Sequence, residues 1–235
     1  MASKKSQRKR ANSVKKQSVF ESKGVRIGIV IIFIAIVAIA AVYLFSGSGD
    51  DGNGFDGNGD GGNGVVGNPI AIIDTSMGTI KVELYEDKVP NTCENFINYA
   101  NDGFYDGLVF HRVIDDFMIQ GGGFYPNGTK KDTNDPIDLE INEEVRHVDG
   151  AIAMARTNDP NSATSQFFID HGSQPQLEPG GVDPNGYAVF GVVIEGIEVV
   201  RAIASLDPEQ TTTKDGMQNW PIEDVIINSI TIESQ

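Results

Sequence analysis

The sequence predicts a mainly β domain, a closed or sandwiched sheet covered by two helices, set behind one membrane-spanning helix and a flexible linker. Three observations carry this. Short apolar runs bounded by Gly, Pro, Asn and Asp recur through residues 69–235, and the clearest of them alternate with polar residues. Only two stretches carry helical signals, and no alternating strand–helix series appears. A run of 19 residues without a charge, 27–45, precedes a stretch too rich in Gly and Asp to fold.

The elements follow in order. Residues 1–26 hold nine Lys/Arg against one Glu, a basic cytoplasmic segment. Residues 27–45 rise ~29 Å as a helix, matching a bilayer core of roughly 30 Å. All the flanking positive charge lies before them, so the N-terminus is expected in the cytoplasm and the remainder outside. The competing reading is a cleaved signal peptide. Its apolar region is usually only ~7–15 residues long, and the A-x-A match here lies inside the run. Residues 46–68 include ten Gly and four Asp and read as a tether. Asp56, Asn58, Asp60 and Gly61 match the opening of a calcium loop, but the twelfth position is Gly67 where Glu is needed.

The folded region opens with a hairpin, residues 71–75 and 79–84, in which Ile80, Val82 and Leu84 alternate with polar residues. A helix follows: Cys93, Phe96, Ile97 and Ala100 share one face, Asn91 is placed to cap it and Gly103 to end it. Strands are expected within 107–123, 150–155, 166–169 and 188–193. A second helix spans 196–206, and a closing strand 225–232. Beyond residue 26, nine basic residues face 32 acidic ones, which excludes a nucleic-acid-binding surface of the usual basic kind. The single Cys93 excludes an intramolecular disulfide and falls on the apolar helix face.

No zinc, nucleotide or nucleophile-elbow motif occurs, and no metal or cofactor is expected. One stretch is unusual. FHRVIDDFMIQGG, residues 110–122, places a cation and an amide, Arg112 and Gln120, within nine residues of Phe117, Met118 and Ile119. Asp115 and Asp116 are candidates either for an ion pair with Arg112 or for a turn between two strands.

With MARTNDPNSATSQFFI at 154–169, YEDKVPNTCENF at 85–96 and YAVFGVV at 187–193, this stretch resembles the cyclophilins over residues 69–235. The resemblance implies a closed eight-stranded antiparallel β-barrel capped by two α-helices, and peptidyl-prolyl cis–trans isomerase activity. It makes Arg112 the catalytic donor, with Gln120 orienting it. Phe117, Met118, Phe168 and Leu177 match the proline pocket. Ala155, Arg156 and Gln166 match positions binding the substrate backbone, Arg156 mainly through its main chain. Tyr187 matches a rim position, and His111 lines the same region without an acid–base task. Phe96, Phe110 and Phe190 are expected in the core.

There are two departures. Gln176 stands where many cyclophilins carry an aromatic residue that contributes to cyclosporin binding. The loop at 156–165 carries Arg156 and an extra residue, a familiar variant. The expected partners are proline-containing unfolded or newly exported polypeptides. The chain is expected as a monomer in the cytoplasmic membrane, catalytic domain outside, or secreted if the N-terminal segment is cleaved.

Overall fold

Residues 67–206, 211–214 and 216–234 are described in the computed structural model. The basic segment, the expected span at 27–45 and the linker up to residue 66 lie outside them. Among the described residues no helix is long and apolar enough to cross a membrane.

The chain begins as predicted, with β1 (Ile70–Thr75) turning into β2 (Gly78–Leu84). Thr75 Oγ1 donates to the Gly78 carbonyl and accepts from Met77 N–H, which closes the turn. Helix α1 (Pro90–Asn101) follows, with Pro90 in its first turn, where the missing N–H is no loss. Asn91 was expected to cap it. The first residue outside the helix is instead Val89, which makes no side-chain cap. The free donors turn to a distant carboxylate: Glu140 accepts from Thr92 N–H at 2.9 Å, from Thr92 Oγ1 at 2.8 Å and from Asn91 Nδ2 at 3.2 Å. A carboxylate at a helix N-terminus also meets the positive end of the dipole, together about 1 kcal/mol.

The remaining strands are β3 (Phe110–Ile114), β4 (Met118–Gly121), β5 (Ala151–Met154), β6 (Phe167–Asp170), β7 (Val189–Glu195) and β10 (Ile227–Glu233). With β1 and β2 they form one eight-stranded sheet in the order β10-β1-β2-β7-β5-β6-β4-β3, every pairing antiparallel. The ladder ends at β3 and β10. Across that gap the backbone makes one isolated bridge, Val109 to Ile226, and Phe110 N–H donates to Val225 O at 2.9 Å. Strand number and direction match expectation, while the pairing is that of a curled sheet with two edges. Helix α2 (Ile197–Ala204) is the second of the two expected helices.

Strands β4 to β6 are buried on both faces, and this builds the site. Ile119, Ile152, Met154, Phe167 and Ile169 point into the main core, with Phe96, Phe110 and Phe190 as expected. Phe167 meets Phe96 and Phe110 edge to face at 5.5 and 6.0 Å. Their neighbours Met118, Ala151, Ala153 and Phe168 alternate to the opposite face and form a second apolar cluster with Leu177 and Val189. Cys93 is fully buried, and burial pushes its thiol up to about 12, so it is packing rather than a nucleophile.

A feature absent from the sequence reading is the hairpin of β8 (Thr211–Lys214) and β9 (Met217–Pro221). Its anchor is Trp220, 1% exposed, whose ring lies 5.9 Å from His111 and 6.1 Å from Phe124. Indole Nε1–H donates to Asp224 at 2.8 Å.

Candidate active site

The second apolar cluster floors a cavity of about 140 Å³. Phe117, Met118, Phe168 and Leu177 form its walls, with Ala155 and Tyr187 at its side and Arg112, Gln120 and Arg156 as its polar lining. Nine of the eleven residues expected from the sequence thus come together from five separate stretches of chain.

Local structure explains the placement. Arg112 would share its face with Phe110 in a regular strand. A bulge between Phe110 and Arg112 breaks that alternation, so Phe110 and Val113 both reach the core while Arg112 faces the cavity. Asp115, Asp116 and Phe117 form the turn to β4, and Asp116 adopts φ 54°. The carboxylates do not pair with Arg112: Asp115 lies 3.3 Å from His171, and Asp116 N–H donates to His171 Nδ1. The ion-pair alternative for Arg112 is therefore set aside.

Arg112 and Gln120 are register partners, and Arg112 Nη1 donates to Gln120 Oε1 at 3.4 Å. Gln120 Nε2 donates in turn to Gln166 Oε1 at 3.0 Å. The guanidinium carbon sits 5.7 Å from the Phe117 ring centre. Among the described residues no carboxylate lies within ion-pair distance of Arg112. Burial lowers its pKa, with Tyr187 opposing, yet an Arg starts high enough to stay charged.

Residues 70–232 match the family model described as cyclophilin type peptidyl-prolyl cis-trans isomerase/CLD. The chain belongs to the cyclophilin family. Over 162 residues it is 47% identical to peptidyl-prolyl cis-trans isomerase cyp18 of Streptomyces antibioticus, covering 68% of this chain and 96% of that protein. It is 44% identical over 161 residues to peptidyl-prolyl cis-trans isomerase B of Escherichia coli strain K12, covering 67% and 96%. A crystal structure of a Cryptosporidium parvum cyclophilin in the presence of the dipeptide Ala-Pro matches with TM-score 0.58 and 32% identity, covering 71% of this chain and 99% of that one.

Arg156, Gln166 and His111 make further contacts around the cavity. The Arg156 side chain is not free beside its main chain. Its Nε donates to Gly186 O at 3.1 Å, its Nη2 pairs with Asp183 at 2.7 Å, and its guanidinium lies 4.6 Å over the Tyr187 ring. It braces the loop that carries Tyr187. Gln166 and His111 lie outside the proline-sized cavity, in an adjoining groove of about 450 Å³ that shares Arg112 and Gln120 with it. The His111 ring is 3% exposed and 4.7 Å from Phe124, and burial lowers its pKa to about 4. It is a neutral packing residue at ordinary pH.

The far side of that groove is Met217, Gln218 and Asn219 of β9, with Phe124. Nothing in the sequence pointed to the three β9 residues, because they lie about 100 residues from Arg112. The glycine run after Gln120 does carry a signal. A Cβ on Gly123 would stand 2.6 Å from the Gln166 side chain, and Gly122 has φ 81°, so the run clears the path by which Gln166 reaches Gln120.

Proposed function

We propose that this cyclophilin accelerates cis–trans isomerisation of X–Pro bonds, with Arg112 donating to the prolyl nitrogen as the amide twists. The observation that carries this is a charged donor, oriented by an amide, at the edge of an apolar cavity. The uncatalysed barrier is about 18–20 kcal/mol because twisting breaks C–N resonance. No bond forms and no proton is transferred. In the twisted amide the nitrogen regains a localised lone pair and accepts a hydrogen bond that the planar amide cannot. A donor fixed at that nitrogen therefore favours the transition state over both ground states. A differential gain of ~3–4 kcal/mol gives about 10²–10³ in rate. Apolar walls act in the same direction, since planar resonance separates charge and is favoured by water.

The same reading takes the eight strands to close into a barrel, supported by the bonds between the Val109–Phe110 backbone and Val225–Ile226. It places the domain outside the cytoplasmic membrane on the span at 27–45, acting as a monomer on newly exported chains whose proline steps are slow. No nucleic-acid partner fits its acidic surface.

The test is a proline-peptide isomerisation assay on the full chain and on Arg112→Ala. The expected loss is about 10²–10³ in kcat/KM. Equal rates would leave only a module that holds proline segments.

A further inference from the structure

Behind the cavity lies a buried pair that no step above uses. His147 Nδ1 stands 2.8 Å from Asp170 Oδ2, and their side chains are 1% and 0% exposed. The other ring nitrogen, Nε2, is 3.3 Å from the Tyr187 carbonyl. The ring lies parallel to Phe168, 4° from coplanar at 5.9 Å, and Phe168 meets Tyr187 edge to face at 5.7 Å. One imidazole thus stacks on Phe168 and meets the backbone carbonyl of Tyr187 from behind the cavity.

The protons follow from the partners. A carbonyl only accepts, so Nε2 must carry a proton to bond Tyr187. The 2.8 Å contact between Nδ1 and Oδ2 holds a second. With both, the pair has no net charge, as imidazolium and carboxylate or as imidazole and acid. Remove one and the remaining proton stays on Nδ1 against the carboxylate. The bare Nε2 then faces the Tyr187 oxygen lone pair against lone pair.

We propose that His147 and Asp170 are a positioning pair whose shared proton keeps Nε2–H on the Tyr187 carbonyl and so holds the Phe168–Tyr187 wall. This rests on the isomerase reading above. Asp170 Oδ1 is buried without a partner, which disfavours the bare carboxylate. Burial raises the Asp170 pKa to about 6, His147 opposing, with Glu178 and Asp149 pushing further upward. Those two are the acids facing the pair. Glu178 accepts from His147 N–H at 2.8 Å and lies 3.8 Å from Arg146, while Asp149 is paired with Arg201. His171 is the next residue along the chain. The expected change is the loss of the proton shared at the Nδ1–Oδ2 contact, set by the raised Asp170 carboxyl.

The experiment measures kcat and KM for a proline peptide from pH 5.5 to 8.5 on the full chain, on Asp170→Asn, on His147→Asn and on Arg112→Ala. In the wild type KM should rise about fivefold with pH, the worth of one hydrogen bond, while kcat changes little. Asn at 170 can donate its amide N–H to Nδ1, which leaves Nε2–H in place and removes the titrating proton, so the KM rise should vanish. His147→Asn keeps a donor toward Asp170 but cannot reach Tyr187, so its KM should be high at every pH. His171 is common to all variants and cancels from the comparison. Nitrogen NMR of the His147 ring gives a readout apart from turnover, since it reports whether Nε2 bears the hydrogen bonded to the Tyr187 carbonyl. A wild-type KM flat with pH and equal to that of Asp170→Asn, with Arg112→Ala impaired, would overturn the pair alone. An Arg112→Ala variant as active as wild type would instead remove the isomerase reading beneath it.

Discussion

Arg112 and Gln120 stand opposite one another on β3 and β4, and the side-chain amide of Gln120 is held at both ends. Its oxygen accepts from Arg112 Nη1 at 3.4 Å while its nitrogen donates to Gln166 at 3.0 Å. Gln166 thereby fixes which way the amide points, and so which end Arg112 meets. A 3.4 Å bond is long, and it holds the guanidinium without discharging it as a carboxylate would.

Gln120→Leu should therefore lower kcat/KM about tenfold, the lower end for a hydrogen bond to a charged group, through kcat rather than KM. Gln166→Leu should follow in the same direction with a smaller loss, since it acts on Arg112 through Gln120. Steady-state kinetics on both variants checks the order. A larger loss at Gln166 would mean that it touches substrate directly from the adjoining groove.

His111 predicts an acid limit to stability. Its folded-state pKa is lowered by burial from the ordinary 6.5 to about 4. The unfolded chain therefore takes up a proton below pH 6.5 that the folded chain refuses. Stability is full above pH 6.5 and falls as pH drops toward 4, by on the order of 3 kcal/mol. His111→Phe keeps an aromatic ring against Phe124 and Trp220 and cannot titrate. Thermal melts between pH 4 and 7 should show a flatter Tm in this variant, with isomerase activity within a few-fold of wild type. An unchanged acid slope would shift the cause to other groups.

Arg156 should control the fit of Tyr187 rather than the chemistry. Its bonds to Gly186 O and Asp183 hold the loop whose next residue lines the cavity. Arg156→Ala should raise KM several-fold with kcat retained. The Asp183 carboxyl is held below the usual carboxylate range, first by the Arg156 hydrogen bond and then by Asn185 N–H. A depressed carboxylate keeps its partner above the unfolded value near pH 4 and loses it as pH falls further. The wild-type KM should therefore climb at the acid end toward that of Arg156→Ala, a trend opposite in direction to the one assigned to His147 and Asp170.

The sequence carried the cavity better than its surroundings, for physical reasons. Arg112, Gln120, Phe117 and Met118 lie on one hairpin, so their spacing alone brings them together. Phe168 was readable because Phe167-Phe168 in a short strand must face opposite sides. The cap on α1 was not readable, because Asn91 is a good local candidate and only the fold brings Glu140 to Thr92. The packing of His111 on Trp220 was not readable, because the two lie more than 100 residues apart. The bulge that turns Arg112 outward leaves His111 packed on Trp220. The β8–β9 hairpin had no alternating apolar signal, since TTTK and MQNWP owe their pairing to one buried indole.

Gln176 sets a pharmacological expectation. It follows Pro175 in the short 3-10 turn that delivers Leu177 to the cavity, and it is exposed, with its amide donating to Gln174 Oε1 at 2.5 Å. Leu177 is held by the turn itself, so loss of the neighbouring aromatic leaves the proline wall intact. Gln176 is absent from the cavity lining. Cyclosporin should therefore bind weakly while isomerase activity persists. Gln176→Trp restores an aromatic surface of the kind that dominates binding hot spots, and should tighten cyclosporin about tenfold or more with kcat/KM for a short proline peptide changed little. Titration calorimetry on the two proteins decides it. Tight binding by the wild type would show that the cavity and its rim suffice without the aromatic.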